Sequence, residues 1–233
     1  MPSVSGKAGA VLLAAGQGRR LGHDKSITSI AGKPVLAHGL EALLACKGIE
    51  RVVVTVRSDV LEEASDWVKK SYGGEVSRVR VIVGGAERQD SVWEGLTALG
   101  DLEWAVVHDA ARVLATPRLV EKVMGAAQKE GAAAAARKMA DTVRETDPQG
   151  KILRLINREG LWRMETPQVV RMEVLRRGLQ KAREEKKVVT DCLAAAELAG
   201  LKGVLVEADE PNLKITVPAD WGLAEAWLRG RNS

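Results

Sequence analysis

The stretch Val11-Leu12-Leu13-Ala14-Ala15-Gly16-Gln17-Gly18-Arg19-Arg20-Leu21-Gly22 decides the fold of this 233-residue chain. An apolar run stops in small residues, glycines and two arginines, which predicts a buried strand that ends in a loop facing a polyanion. Glycine lets the backbone approach phosphate oxygens, and arginine adds permanently charged donors. The spacing matches neither of the two commonest phosphate-binding patterns, G-x-G-x-x-G and G-x-x-x-x-G-K-[ST]. A plain glycine-rich surface turn stays open as the alternative.

The composition limits the classes of protein that this chain can be. Hydrophobic residues make up 45% and charged residues 28% of the chain, which is ordinary for a globular protein. The length suits one domain over residues 1–233, with an excursion at about residues 139–160. The net charge of +4 is spread along the chain, Phe is absent and Tyr occurs once. A nucleic-acid partner is therefore not expected, and a small anionic ligand explains the basic excess equally well.

The cysteines and the apolar runs indicate the compartment. Cys46 and Cys192 lie in helix-like stretches, and the sequence contains no C-x-x-C motif or Cys/His metal spacing. We interpret both as reduced thiols of a cytoplasmic protein. No apolar run approaches the roughly 20 residues of a membrane span, and residues 1–8 lack the apolar core of a secretory signal. No membrane partner is expected.

Short apolar runs alternate with longer helix-like segments in the first half of the chain. The predicted strands are Ala10–Leu13, Val52–Val56, Val79–Val83 and Ala105–Val107, and the predicted helices between them are Pro34–Cys46, Asp59–Lys70 and Gln89–Leu99. This alternation predicts an α/β fold whose sheet is mostly parallel and covered on both faces. Asp59, with Glu62 three residues later, is predicted to cap the second helix.

The second half contains a predicted excursion from this alternation. Residues 141–145 and 152–156 flank Asp147-Pro148-Gln149-Gly150, which predicts a hairpin turn. A polar two-stranded hairpin is marginally stable alone, so we expect it to pack on another surface, such as that of a second subunit. Ala132–Arg137 reads as a buried strand, although a helix is possible. The remaining predicted elements are helices at Pro117–Lys129, Met172–Glu184, Asp191–Ala199 and Pro218–Arg229 and a strand at Val204–Val206.

Three loops follow predicted strands and should meet at one edge of the sheet, where ligands of such folds collect. They are the opening loop, residues 84–92 and residues 108–112. In the second loop, Ser91 could cap a helix or bind a ligand. In the third, Asp109 facing a phosphate loop is the simplest way to hold Mg²⁺, with a helix-capping role as the alternative. His108 could be a general base, although a structural histidine is the commoner role.

Six blocks in order resemble the 2-C-methyl-D-erythritol 4-phosphate cytidylyltransferase family over about Ala10 to Trp227. The blocks are residues 14–20 with Lys25, residues 84–92, residues 108–112, residues 141–143, Leu161-Trp162 through Thr166-Pro167-Gln168, and residues 212–216. The resemblance implies a Rossmann-like nucleotidyltransferase fold and a homodimer built partly by an extended β-arm, which matches the predicted hairpin. It also implies CTP, a sugar-alcohol phosphate as the acceptor and a divalent cation, normally Mg²⁺.

The same resemblance assigns roles to single residues. Arg20 and Lys25 would stabilise the transition state on the triphosphate, while Arg158 and Lys214 would hold the acceptor phosphate. Arg158 would reach across the dimer from the arm, and Asp109 would contact the metal or the substrate. Without the family, Lys25, Arg158 and Lys214 could each be an exposed surface residue, Lys214 on a strand. The implied substrate contacts are Ala14, Ala15, Gly16, Gly18, Gly85, Ser91, Asp109, Ala110, Arg112, Thr142, Thr166 and Thr190.

Two other functions stay open from the sequence. A ribitol 5-phosphate cytidylyltransferase would share the fold and most of the motifs, differing mainly in the pocket for the alditol. A nucleotide-binding regulator without catalysis is suggested by Asp24 and Ala86, which depart from the family pattern. The retained charged residues of the predicted site argue against the regulator.

Overall fold

The computed structural model describes residues 6–16, 26–74 and 76–231 of the chain. The strands are β1 (Ala8–Leu13), β2 (Ser29–Ile30), β3 (Lys33–Pro34), β4 (Ile49–Val56), β5 (Val79–Val83), β6 (Trp104–Asp109), β7 (Ala132–Lys138), β8 (Val143–Thr146), β9 (Ile152–Ile156), β10 (Trp162–Arg171) and β11 (Val204–Glu207). The helices are α1 (Val35–Leu44), α2 (Leu61–Tyr72), α3 (Arg88–Leu99), α4 (Pro117–Glu130), α5 (Met172–Glu184), α6 (Cys192–Leu198) and α7 (Pro218–Arg231).

A seven-stranded sheet in the order β11-β7-β10-β6-β1-β4-β5 forms the centre of the molecule. β1 pairs in parallel with β4 and β6, as β4 does with β5 and β11 does with β7. Only β10 among these seven strands runs antiparallel, between β6 and β7. The α/β fold with a mostly parallel sheet is therefore confirmed.

The strands are apolar on both faces because helices cover both faces. In β6, Trp104 and Val106 belong to one buried cluster, whereas Ala105 and Val107 belong to another on the opposite face. Successive side chains of a strand point to opposite faces, so a continuous apolar run signals this two-sided burial. Helices α1, α2 and α4 lie on the first face, and α3, α5 and α6 on the second.

The alanine-rich segment predicted as either a strand or a helix is the strand β7. Residues 132–136 are all alanine and are fully buried, while β11 and β10 flank them in the sheet. Alanine has little intrinsic preference for strands, so close packing on both faces decides the outcome here.

Strand β10 is the main element that the sequence analysis missed. The run contains Glu165, Thr166 and Pro167, and a proline with polar neighbours argues against a central strand. The structure accommodates them in a bulge, because the pairing with β7 passes from Met164 opposite Ala136 to Gln168 opposite Ala134. Bulges of this kind re-aim side chains and are frequent beside functional sites.

The predicted hairpin is present, with β8 and β9 paired antiparallel as a separate two-stranded sheet. At its base, the Met139 amide donates to the Leu161 carbonyl at 3.0 Å, which continues the pairing of β7 with β10. We call residues 139–160 the hairpin. Three large apolar side chains of β9, Ile152, Leu153 and Leu155, are exposed.

Two local predictions are wrong. Asp59 does not cap the second helix with Glu62, since α2 starts at Leu61 after a short 3₁₀ turn and Asp59 pairs with Arg57. Lys214 does not lie on a strand, because residues 208–217 have no regular secondary structure. The side chain of Ile215 instead enters a third buried cluster beside α7. No helix in the described part of the chain combines the length and apolarity needed to cross a membrane.

Candidate active site

The loops after β5 and β6 and the described start of the loop after β1, residues 14–16, meet at the carboxyl edge of the sheet, as the sequence predicted. The Ala14 amide donates to the Thr55 carbonyl at 2.8 Å, and the Ala110 amide donates to the Leu13 carbonyl at 3.0 Å. Gly84, directly after β5, is held in the same way by the Val56 carbonyl at 2.8 Å. These bonds bring the first residues of the predicted phosphate loop, Ala14 to Gly16, together with the glycine pair and Asp109.

The glycine pair lets two of these loops touch. A Cβ atom on Gly84 would lie 2.6 Å from the Cβ of Ala15 and 2.8 Å from the Ser91 hydroxyl. A Cβ on Gly85 would lie 2.2 Å from that of Asp90. Since real Cβ atoms do not approach so closely, glycine is required at both positions for this loop to fold against β1. The predicted nucleotide-side residues Ala15, Gly85 and Ser91 are thus neighbours.

Ser91 closes this loop and does not cap the helix. Its hydroxyl accepts the Gly85 amide at 3.1 Å, and it is the fourth residue of α3. The cap is a reciprocal pair formed by Glu87 and Asp90. Ser91 is buried, and its hydroxyl holds the Gly84-Gly85 backbone in place.

Asp109 lies at the end of β6 and is the centre of a charged cluster. Its Oδ2 accepts the Lys214 ammonium at 2.7 Å, and its Oδ1 lies 3.4 Å from the Arg88 guanidinium nitrogen Nε. The Asp109 side chain is only 10% exposed. Burial by itself would raise the pKa of this carboxyl, but the charges of Arg88 and Lys214 outweigh it and hold the pKa well below its usual range. Asp109 is therefore ionised at neutral pH.

His108, directly before Asp109, has a structural role. Its ring is fully buried, and burial lowers the pKa of His108 to about 4, so the ring is neutral at physiological pH. Its Nδ1 lies 3.0 Å from the Thr166 hydroxyl, and that hydroxyl also accepts the backbone amide of Asp109 at 3.0 Å. Thr166, predicted to contact substrate, is thus already engaged in fixing the backbone at Asp109.

Arg112 is held almost entirely by backbone oxygens. Its two terminal nitrogens donate to the carbonyls of Asn212 at 2.7 Å and of Met164 at 3.4 Å. Burial lowers the pKa of Arg112, while the neighbouring charges of Asp109 and Glu165 oppose that shift. The guanidinium therefore ties the segment of Lys214 to β10 at the site.

Sequence reasoning missed the polar residues that hold the charged cluster together. Gln168 accepts both the Arg88 guanidinium at 3.4 Å and the Cys192 amide at 2.9 Å, and donates to the Glu165 carbonyl at 3.1 Å. Glu165 and Asn212 are joined by a buried hydrogen bond of 2.9 Å. Both Gln168 and Asn212 lie in the recognised blocks, but only their tertiary hydrogen bonds show that their side chains belong to the site.

Cys192 starts α6 beside the site but is not a reactive thiol. Its sulfur lies 4.0 Å from the Arg88 guanidinium, a charge that favours the thiolate. Burial dominates and raises the pKa of Cys192 to about 11. Both cysteines of the chain are free and buried.

The described residues fit a divalent cation only in part. They contain no group of three or more His, Cys, Asp or Glu side chains that could enclose a metal. Asp109 offers one ionised carboxylate, whose two oxygens now face Arg88 and Lys214. Mg²⁺ commonly binds through one or two carboxylates together with substrate phosphates, so this donor set fits a cation shared with a nucleotide.

The remaining predicted residues fall into three groups. Thr142 and Arg158 lie at the hairpin, where Arg158 donates to the Ala140 carbonyl, and both are exposed. Thr190 is exposed two residues before Cys192, near the site. The predictions for Gly18, Arg20 and Lys25 lie outside the described residues.

Comparison with known proteins agrees with this geometry. The sequence model of the family described as 2-C-methyl-D-erythritol 4-phosphate cytidylyltransferase (IspD) matches residues 8–230. A protein of that name from Pelotomaculum thermopropionicum is 38% identical over 229 residues, which cover 97% of this chain and 95% of the relative. Another, from Clostridium perfringens, is 33% identical over 226 residues, which cover 96% of this chain and 100% of the relative.

Solved structures show the same similarity in three dimensions. The 4-diphosphocytidyl-2C-methyl-D-erythritol synthase of Anaerococcus prevotii has a TM-score of 0.83 at 27% identity, covering 96% of this chain and 98% of that chain. The 2-C-methyl-D-erythritol 4-phosphate cytidylyltransferase of Thermus thermophilus has a TM-score of 0.76 at 28% identity, with 94% and 98% covered. The family model and the relatives span nearly the whole chain, and we conclude that it belongs to the 2-C-methyl-D-erythritol 4-phosphate cytidylyltransferase family.

Proposed function

We propose that this protein transfers CMP from CTP to the phosphate of 2-C-methyl-D-erythritol 4-phosphate in the non-mevalonate synthesis of isoprenoid precursors. An oxygen of the acceptor phosphate attacks the α-phosphorus of CTP, and the bond from that phosphorus to the β-phosphate oxygen breaks. The products are 4-diphosphocytidyl-2-C-methyl-D-erythritol and pyrophosphate. The observation that carries the proposal is the buried Asp109 carboxylate, which holds Lys214 and Arg88 beside the Gly84-Gly85 loop.

The chemistry asks for positioning and charge rather than for a covalent intermediate. The nucleophile is already an anion, so the obstacle is bringing two anions together and stabilising extra negative charge at the α-phosphate. Cations held in place before the reaction do this without reorganising in the transition state. Arg88 and Lys214 are held in this way by Asp109.

The roles of the site residues divide between the two substrates. Ala15, Gly16, Gly85, Ser91 and Ala110 line the cytidine side, with Ala14 as a further substrate contact, and the close packing of Gly84 on Ala15 supports a pocket of defined shape. Lys214 binds the acceptor phosphate, with Arg112, Thr166 and Thr190 as nearby contacts. Gly18, Arg20 and Lys25 serve the triphosphate, with Arg20 and Lys25 stabilising the transition state.

A divalent cation, normally Mg²⁺, completes this proposal. Asp109 would hold the cation together with oxygens of the substrates, and the bound cation would neutralise charge on the phosphates of CTP. Asp109 Oδ2 accepts the Lys214 ammonium at 2.7 Å, so one carboxylate would serve both the cation and the lysine of the acceptor side.

Homodimerisation through the hairpin is a further part of the proposal. Three exposed apolar side chains on β9 and the exposed Arg158 support it, because an isolated two-stranded hairpin rarely leaves such surface in water. In the dimer, Arg158 and Thr142 would approach the acceptor site of the partner subunit. A cytoplasmic location agrees with the two free thiols.

Measuring the release of pyrophosphate from CTP in the presence of Mg²⁺ and an acceptor tests the function directly. We expect turnover with 2-C-methyl-D-erythritol 4-phosphate and much slower turnover with D-ribitol 5-phosphate. Faster use of ribitol phosphate would assign the site to the other acceptor. No pyrophosphate with either acceptor would refute catalysis and leave nucleotide binding alone.

A further inference from the structure

The segment that carries Lys214 has no secondary structure of its own to hold it. Residues 208–217 form neither helix nor strand. Nevertheless the Lys214 ammonium lies 2.7 Å from Asp109, a distance that requires a well-placed backbone. The segment is therefore held by contacts from elsewhere in the protein.

Asn212, two residues before the lysine, forms three of these contacts. Its side-chain amide donates to the Glu165 carboxylate at 2.9 Å and to the Thr166 carbonyl at 2.8 Å. Its backbone carbonyl accepts the Arg112 guanidinium at 2.7 Å. The residue is 3% exposed, so water does not compete for these bonds. Asn212 thus connects the lysine segment to both β10 and the loop after β6.

Glu165 provides the charged end of the principal bond. Its carboxylate is 1% exposed and lies in the β10 bulge. Arg163 and Arg137 approach it at 3.3 Å and 3.9 Å, so the buried charge is compensated. A hydrogen bond to a carboxylate is stronger and more directional than one between neutral groups.

We propose that Asn212 and Glu165 are positioning residues for the acceptor phosphate. They place Lys214 and Arg112 together, although neither Asn212 nor Glu165 touches the substrate. The bulge in β10 is what turns Glu165 towards the segment, so this role explains why an irregular strand crosses the site. The inference rests on the proposed function, because it assigns Lys214 and Arg112 to the acceptor.

Asn212→Asp tests the bond by reversing its polarity. The new carboxylate would face that of Glu165 and would lose the donor to the Thr166 carbonyl. We expect kcat/KM for the acceptor to fall by about tenfold or more, as befits loss of a charge-assisted bond, while KM for CTP stays within about twofold. Asn212→Ser removes the side-chain amide without adding charge. It should lower kcat/KM for the acceptor by less than Asn212→Asp does, again with KM for CTP nearly unchanged.

Two substitutions of Glu165, the hydrogen-bond partner of Asn212, make the test specific. Glu165→Gln keeps an oxygen for the Asn212 amide and should change the acceptor kcat/KM by less than about threefold, whereas Glu165→Met should resemble Asn212→Asp. In Glu165→Gln/Asn212→Asp, the new amide can donate to the new carboxylate. This double variant should recover a large part of the loss.

Thr116→Ala is the matched control. Its hydroxyl accepts the Leu119 amide at the start of α4, so the substitution removes a structural bond outside the site. It should lower Tm while leaving both substrates' KM values unchanged. Equal effects on CTP and acceptor in Asn212→Asp, or no effect on either, would overturn the positioning role.

Amide hydrogen exchange tests the positioning role without substrate, and therefore independently of the proposed function. The Ile215 amide donates to the Ala111 carbonyl at 2.9 Å and reports the placement of the segment without substrate. Asn212→Asp should increase exchange there, and Thr116→Ala should increase it only in α4. An unchanged Ile215 amide would refute the positioning of the segment even if no acceptor were turned over. Absence of turnover by the unsubstituted protein would instead refute the proposed function.

Discussion

The charged cluster at the sheet edge and the hairpin both contain predicted site residues, but these residues are buried in the cluster and exposed in the hairpin. Asp109, Arg112 and Thr166 are buried and bonded to several neighbours. Thr142 and Arg158 are exposed in the hairpin, just outside its two strands β8 and β9. A region whose polar groups are already paired is organised within one chain, whereas exposed apolar side chains on a small hairpin are the feature on which the proposed dimer rests. The predictions below test this division.

The largest effect is expected from Asp109→Asn. An amide cannot hold Lys214 and Arg88 as a carboxylate does, so kcat/KM should fall by about a hundredfold to a thousandfold, as on loss of a preorganised charge interaction. Steady-state kinetics with both substrates measure this fall. The control is Asp147→Asn in the hairpin turn, where the side-chain oxygen only accepts the backbone amides of Gln149 and Lys151. A comparable fall of kcat/KM in Asp147→Asn would contradict the assignment of this effect to the buried cluster.

Subunit mixing tests whether the hairpin serves another chain. Lys214→Ala and Arg158→Ala should each be nearly inactive alone. If Arg158 acts across the dimer, random re-association of an equal mixture should restore about a quarter of the native activity, since one site in each mixed dimer is complete. No restoration after confirmed exchange of subunits would place Arg158 at the site of its own chain.

Acid should destabilise the buried cluster through His108. Its pKa is about 4 in the folded protein and 6.5 in the unfolded chain, so protonation favours unfolding. The stabilisation is complete above pH 6.5 and is lost as the pH falls towards 4, by up to about 3 kcal/mol. Denaturant unfolding measured from pH 4 to 6.5 gives the free energy of unfolding at each pH. This free energy should depend less steeply on pH in His108→Gln than in the unsubstituted protein.

A second histidine provides the control for this pH dependence. Burial also lowers the pKa of His38, which is only partly buried, and its Nε2 lies 3.1 Å from the Ile30 carbonyl. His38→Gln should therefore remove less of the slope than His108→Gln. The opposite order would contradict the assignment of the acid sensitivity to the site. The hairpin contains no histidine.

The smallest effect on folding is expected from the exposed face of β9. Ile152→Ser with Leu155→Ser should leave Tm of the monomeric chain nearly unchanged, because these side chains are 59% and 58% exposed. Sedimentation should nevertheless shift from dimer to monomer. Leu223→Ser on α7 is the control, since Leu223 is 53% exposed outside the hairpin and should not alter assembly. A dimer that survives the double substitution would need another interface.

The success of the sequence predictions depended on how local each signal was. The helix at Met172–Glu184 and the strand at Val79–Val83 were predicted at their observed limits because their apolar spacing is set within the segment. Asp59 was misassigned as a cap because an acidic residue at a helix start can pair with a neighbouring arginine instead. Strand β10 was missed because Thr166 and Pro167 look unlike a central strand until the bulge is known.

The sequence by itself determined the α/β class, the hairpin and the residue types of the site, since alternating apolar runs, turn residues and ordered motif blocks are all local information. Only the tertiary structure decided which polar side chains act together. Gln168, Glu165 and Asn212 meet Arg88 and Arg112 through contacts between residues far apart in the chain, created by an antiparallel strand with a bulge. Such contacts depend on packing and register, which no single segment of the sequence encodes.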